Sequence, residues 1–548
     1  MKKIFVMSMT CILFFVMGSM HFHAAERTNV KEIFSLEAPI WIFQAGITKG
    51  VYHDRQDLGF ILQANTVLKV RQTNPNFKNE LRLRLLSNDS KTEKSIQVGS
   101  EWETVQSDVP LVPFIDTPYD EKGAMLEYQV GNEQFQKPLP IYQEKGNVSE
   151  FFKAWDQFDG DYALVKGNSF QLFVPKKDKE LLRDLKDFQS LDELINYYEE
   201  IFAMYDSMIG LDGSAPENKK GQNRYFLKAD ASGAGGAYYA YDWTANSTDS
   251  INMWLSKSSW GTLHEIAHGY QAGFDDQGMY TGEVSNNLFG VQYQYSKYGK
   301  KADQMGWLFN YGKKESVEKN LYNAVIKENK KYDALDLRQK LIMLTMAKQK
   351  AGNEAFTKMY QGYRKLASQF DSDRSLPDLM NQYYSENSQL DFTSVFERWG
   401  LNLNSTQTEI NRAKGYQAVS SLAYIVPESQ LAKARVIVDP EVLINSNFEM
   451  VTNKEIAPLG LKGNLNMHLN TNDIDSVKGA NVQLKEGNKV IQEKTVETTD
   501  IHFKDVPNGV YTVEVSGGKD ITYHLNQHYA YVKEKDNNLS IDITTKSK

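Results

Sequence analysis

The sequence predicts a multidomain α+β fold, with an antiparallel β domain first, a largely helical region in the middle and a β-sandwich last. Three observations predict it. Between about residues 30 and 175, short β-rich runs such as GFILQANTVLKVRQT and LRLRLLS are separated by the turn clusters NPNFKN and SNDSKT. From LLRDLKDFQSLDELINYYEEIFAMYDSMIG at 181–210 the apolar residues recur at helical spacing, and EAFTKMYQGYRKLASQF continues that period towards FERWGL near 402. From about 430, alternating runs such as ANVQLKEGNKVIQEKTVE and IHFKDVPNGVYTVEVSGG carry turn signals at EGN, PNG and SGG.

The elements follow in order. MKK and the apolar run IFVMSMTCILFFVMGSM make a positive leader and an apolar core of signal-peptide length, with Ala24 and Ala25 small enough for cleavage near residue 24 or 25. Residues 1–25 therefore read as a signal peptide, and the protein as secreted. No later stretch approaches the roughly 20 apolar residues of a spanning helix, so no membrane span is expected in the mature chain. Cys11, the single cysteine, leaves with the leader, so oxidation cannot hold the fold together. Burial must do it, and 548 residues with 41% hydrophobic side chains suffice for two to four domains. The division expected is 26–175 as the N-terminal antiparallel β domain, 176–405 as the central domain, 406–429 as a linker and 430–548 as the β-sandwich. A net charge of −8 argues against nucleic acid as a partner.

The central region carries HEIAHGYQAGFDDQGMYTGEVSNN at 264–287. On a helix, expected over about 258–272, His264 and His268 are i and i+4, so both imidazoles reach one ion from the same face. Glu265 sits about a hundred degrees round, beside that ion. Trp260, Leu263, Ala267 and Tyr270 form an apolar stripe on another face, so the helix can pack and bind metal at once. A catalytic zinc takes three protein ligands, and the downstream candidates for the third are Asp275, Asp276 and Glu283. Gln271 and Phe274 stand where the extended motif HExxHxxGxxH requires Gly and then His or Asp, which excludes that class. In GEVSNNLFG, Val284, Leu288 and Val291 recur at helical spacing, as in a second helix presenting Glu283. Asn287, one turn on, is placed to accept the free N–H of a metal-bound histidine.

These residues resemble the gluzincins, in which two histidines on one helix are completed by a glutamate on the next. HEIAHGYQ, GEVSNN and the upstream GAGGAYYAYDW at 233–243 are similar to the enhancin-like, mucin-active zinc metallopeptidases, over about residues 45–400. The resemblance implies a gluzincin-like peptidase domain with a helical subdomain, and Zn2+ held by His264, His268 and Glu283. It further implies Glu265 as general base towards a zinc-activated water, and a mucin-type or other O-glycosylated protein as substrate. Asn287 departs from the broader gluzincin pattern, where Asp is often found.

GAGGAYYAYDW lacks the phosphate-cradling GxxxxGK[ST] pattern. It reads as a strand whose glycines admit a substrate backbone, with Tyr238 and Tyr239 on opposite faces and one of them towards the cleft. His524 and His528, about 13 Å apart on an extended chain, read as packing or surface residues, as does His502. The resemblance implies glycan binding by the C-terminal domain. Two other readings use the same residues: a non-catalytic mucin-binding or adhesin protein with a vestigial peptidase domain, and a glycoside hydrolase acting on mucin glycans through paired carboxylates.

Overall fold

Alternation in the first β-rich runs is what builds the first layer. The computed structural model describes residues 27–131, 136–257, 259–517 and 521–547, so the expected signal peptide lies outside the described residues. Residues 28–130 form two four-stranded sheets. One has the order Thr28–Ile33, Ala124–Val130, Val67–Gln72, Glu103–Gln106; the other runs Arg55–Asp57, Val112–Asp116, Leu81–Leu86, Lys94–Val98. Leu68, Val70, Leu83, Leu85, Ile115 and Leu126, each at most 1% exposed, come from both sheets and fill one core.

A six-stranded mixed sheet follows. Its strands are β1 (Ile141–Gln143), β2 (Tyr162–Lys166), β3 (Phe170–Pro175), β4 (Tyr225–Ala229), β5 (Ala237–Tyr239) and β6 (Thr244–Asn246), in the order β1-β2-β3-β4-β6-β5. The sheet therefore crosses the boundary expected at 175. β3 pairs in parallel with β4 through Phe170↔Tyr225, and a boundary there would cut a fully buried strand pair. Its outer face is closed against the N-terminal sheets by Phe114, Phe173 and Phe226, with ring centroids 5.3 to 5.9 Å apart. Such aromatic contacts are non-directional burial plus edge-to-face preference.

The other face is covered by helices α1 (Leu191–Met208), α2 (Trp260–His268), α3 (Ser285–Tyr298), α4 (Leu337–Ala351) and α5 (Asn353–Ser368). Helical spacing in the sequence made these legible, and their apolar faces share the largest core of the molecule. The run 406–429, expected as a linker, is packed structure: Ser405–Ala413 is helical and Leu422, Ala423 and Ile425 are fully buried. Helices also continue through Leu431–Val438, where Leu431, Ala434 and Val438 recur at helical spacing on the buried side. Apart from the two-residue strand Met450–Val451, paired with Ser420–Ser421, strands resume at Lys462, later than the expected 430. From there two four-stranded sheets, one containing Lys462–Asn470 and the other Asn481–Glu486, enclose Leu465, Met467, Val482, Leu484 and Val513 in a shared core. Asn453 and Asn508 pin these sheets to the helical layer by donating to the Val510 and Ile425 carbonyls at 2.9 and 3.0 Å. Among the described residues no helix is long and apolar enough to cross a membrane.

Candidate metal centre

Ser259 starts α2 by accepting the Thr262 N–H at 3.3 Å, and the Thr262 hydroxyl donates to the Met253 carbonyl at 3.1 Å. Leu263, Ile266 and Ala267 turn into the core, leaving His264 and His268 half-buried on the opposite side. The helix stops at His268, four residues short of the expected end. Gly269, which follows it, is fixed by packing: a Cβ there would lie 2.0 Å from the Tyr225 hydroxyl, which donates to the Ile266 carbonyl at 3.2 Å. Below, Tyr205 donates to the Leu263 carbonyl at 3.1 Å and Tyr270 to Asp206 at 2.9 Å, so α1 fixes α2 along its length.

His264, His268 and Glu283 each turn a ligand atom to one point, and these atoms lie within 4.8 Å of one another. The two Nε2 atoms are 3.2 Å apart, and Glu283 Oε2 stands 3.2 and 3.5 Å from them. The outward nitrogens are anchored. His264 Nδ1 lies 2.9 Å from Asn287 Oδ1, and the Asn287 amide is oriented by donating to the Glu283 carbonyl at 2.9 Å. His268 Nδ1 lies 2.8 Å from Gln271 Oε1, whose Nε2 donates to the Gly282 carbonyl and the Ser285 hydroxyl at 2.7 and 2.9 Å. Amide oxygens on both Nδ1 atoms require Nδ1–H tautomers, which leave both Nε2 lone pairs facing inward. Burial also holds His268 below the usual imidazole range, in the neutral form a ligand needs.

Glu283 is not on the second helix. It sits in the turn before α3, where the Val284 and Ser285 N–H groups both return to the Thr281 carbonyl at 2.8 and 2.9 Å. That turn is set by the other two candidate carboxylates, which the structure keeps out of the ligand group. Asp276 accepts the Thr281 and Gly282 N–H groups at 2.6 and 2.8 Å; Asp275 accepts the Ala272 N–H at 2.9 Å and the Thr281 hydroxyl at 2.8 Å. Both acids shape the loop that delivers Glu283.

Glu265 faces the same point, with its oxygens 4.0 Å from each Nε2. Burial, and then the Glu283 carboxylate, push its carboxyl up to about 8, opposed by a hydrogen bond from the Tyr239 backbone N–H. That donor belongs to β5, the free edge of the six-stranded sheet. Gly236 O and Ala240 N pair with the neighbouring chain at 3.0 and 2.9 Å, so by alternation Ala237 and Tyr239 turn their backbone groups outward. The tyrosine side chains are committed elsewhere. Tyr238 donates to Asp230 and accepts from Trp243 Nε1 at 2.8 Å, while the Tyr239 hydroxyl meets Thr48 at 2.9 Å and accepts the Gly50 N–H at 2.8 Å. They do take opposite faces, but the backbone of β5 and not a tyrosine ring is what the edge offers.

Residues 140–400, from the start of β1 to the left-handed Gly400, match the family described as Peptidase M60, enhancin and enhancin-like. That segment, just under half of the chain, is similar to the enhancin-like M60 metallopeptidases. A viral-enhancing factor of Pseudalatia unipuncta granulosis virus is 26% identical over 511 residues, covering 89% of this chain and 55% of its own, so the chain spans about half the length of that curated relative. A conserved protein of unknown function from Bacillus anthracis has the same fold, with a TM-score of 0.57, 14% identity, and 94% and 99% of the two chains covered. So does the M60 catalytic domain of Clostridium perfringens ZmpC in complex with the sialyl T antigen, with a TM-score of 0.55, 14% identity, and 88% and 97% covered.

A metal is implied by the M60 family, and the residues present fit one. Two neutral imidazole nitrogens and one carboxylate oxygen are the donor set of a catalytic zinc. Two lone pairs facing each other at 3.2 Å are a repulsive arrangement that a cation between them relieves. Asn286, fully buried, has no partner for its Oδ1 while its Nδ2 stands 3.1 Å from His268 Nε2, an unfinished polar group at the same point. Asn286 and Gln271 escaped the reading of the sequence. Their only signal was position: Gln271 follows His268 by three residues, and Asn286 precedes Asn287.

Proposed function

We propose that this protein is a secreted, zinc-dependent endopeptidase that hydrolyses peptide bonds in mucin-type or other O-glycosylated proteins. The observation that carries the reading is the convergence of His264 Nε2, His268 Nε2 and Glu283 Oε2 beside a buried Glu265 under a free sheet edge. Zinc at such a site polarises a carbonyl and lowers the pKa of water to about 7. The chain's own residues do the rest. Asn287 and Gln271 hold the two imidazoles in one tautomer and one orientation. The outward N–H and C=O groups of Ala237 and the outward C=O of Tyr239 are available to pair with an extended substrate backbone. Glu265, with its oxygens 4.0 Å from each Nε2, takes a proton from the attacking water and delivers it to the leaving amine.

A glycosylated substrate is supported by the ZmpC catalytic domain, whose fold this chain shares and which is bound to the sialyl T antigen. Secretion is supported by the leader sequence at residues 1–25. The paired sheets after residue 462 support a C-terminal β-sandwich, which we assign as an accessory module for mucin or glycan binding. The experiment is digestion of a purified mucin and of its enzymatically deglycosylated form, read by mass spectrometry, with and without chelator. Peptide fragments with intact glycans, produced only without chelator and only from the glycosylated form, are expected. Equal cutting of both forms would remove the glycan from the recognition, and release of free glycans would favour a glycoside hydrolase.

A further inference from the structure

Behind α3, away from the metal ligands, the first helical layer and the returning chain at 442–455 enclose a cavity of about 430 Å3. Leu288, Val291 and Ile444 give it an aliphatic side. Its polar side holds two buried charged residues that lack counter-charges. Lys348, 6% exposed, donates to Gln292 Oε1 at 2.8 Å and Asn353 Oδ1 at 2.6 Å, both neutral acceptors. Glu449, 1% exposed, accepts from Gln349 Nε2 at 2.9 Å. Neither residue forms an ion pair among the described residues, with the other or with any third group; the nearby Lys350 is taken by Glu455 at 2.7 Å. Thr345, 4% exposed and also lining the cavity, has no hydrogen-bond partner for its hydroxyl.

Buried charges are ordinarily paired, because desolvation is repaid only by an opposite charge with good hydrogen bonds. Here an ammonium, a carboxyl and an orphan hydroxyl share one cavity without satisfying each other. The missing partner is therefore a molecule that carries both charges and an apolar body. We propose that the cavity binds a zwitterionic α-amino acid, free or as a short peptide, with an aliphatic side chain. Its carboxylate meets Lys348, its ammonium meets Glu449, and its side chain lies on Leu288, Val291 and Ile444. Burial alone brings the Lys348 ammonium down to about 8 and is the main cause raising the Glu449 carboxyl to about 8, so a ligand carrying the opposite charges would draw both towards their charged forms. The site is distinct from the metal centre, and it stands whether or not the chain is a peptidase.

The test is calorimetric titration of the full chain with L-leucine, leucine amide, N-acetyl-leucine and Leu-Leu. L-leucine is expected to bind one to one, and the amide and the N-acetyl compound at least about tenfold more weakly, because each lacks one charge. Tighter binding of Leu-Leu than of leucine would identify a peptide end as the ligand; the reverse would identify the free amino acid. Lys348→Met and Glu449→Gln should each weaken leucine binding by about tenfold or more and leave peptide cleavage unchanged. If either variant fails to fold, the analogue series on the unaltered chain decides. No saturable leucine binding, single-charge analogues that bind as tightly as leucine, or variants that bind as the parent does would overturn the proposal.

Discussion

His264 Nδ1 stands 2.9 Å from Asn287 Oδ1, and the same amide reaches back to donate to the Glu283 carbonyl at 2.9 Å. One side chain thus couples two members of the ligand group: it sets the tautomer of the histidine and the position of the turn that carries the glutamate. Asn287→Ala should lower zinc affinity about 10- to 100-fold, measured by competition with a chromogenic chelator. Asn287→Asp keeps an acceptor for Nδ1–H, loses the Glu283 carbonyl contact, and should fall between the two.

Gln271 performs the matching service for His268, and its Nε2 additionally ties α2 to Gly282 and Ser285. Gln271→Ala is expected to weaken zinc by a similar factor. Because it also frees the loop bearing Glu283, faster proteolytic nicking between residues 272 and 282 should accompany the loss, which limited digestion would detect.

Gly269 is a packing requirement. The Tyr225 ring is buried against α2, so a Cβ at 269 has nowhere to push it. Gly269→Ala should destabilise by about 1–3 kcal/mol in denaturant unfolding, as overpacking does, and reduce activity in proportion to the misplacement of His268.

Asp275 gives a pH signature. Burial raises its carboxyl from 3.8 to about 6, against the hydrogen bonds it accepts from Ser285, Ala272 and Thr281. The folded chain therefore binds this proton more tightly than the unfolded one. Its contribution to stability is full below about pH 4 and is lost as pH rises through 6. Asp275→Asn should flatten the thermal-stability profile between pH 4 and 6.

Much of the site was legible because its determinants are local. The i, i+4 spacing of His264 and His268 and the apolar stripe beside them are properties of one helix, and Tyr238 and Tyr239 alternate as any strand must. What the sequence hid depends on contacts across the chain. Residue 269 must lack a side chain because Tyr225, on the strand Tyr225–Ala229, occupies the space beside it. Glu283 lies in a turn because Asp276 captures the Thr281 and Gly282 N–H groups, although the residues after it repeat at helical spacing. The same holds for the fold. β1, β2 and β3 read as part of the β-rich beginning, and only the pairing of β3 with β4 joins them to the sheet whose far edge lies beside Glu265. Helix Leu431–Val438 was obscured by the alternating runs that follow it.

The central claim is that Glu265 moves the proton while His264, His268 and Glu283 hold the metal. The most direct measurement is zinc content together with cleavage of a mucin glycopeptide, for the unaltered chain and for Glu265→Gln. The expected result is one zinc per chain in both proteins, and turnover lowered by roughly 10²-fold or more in the variant. A variant that binds zinc and still cleaves at the parent rate, or a parent that cleaves equally well without zinc, would contradict the account.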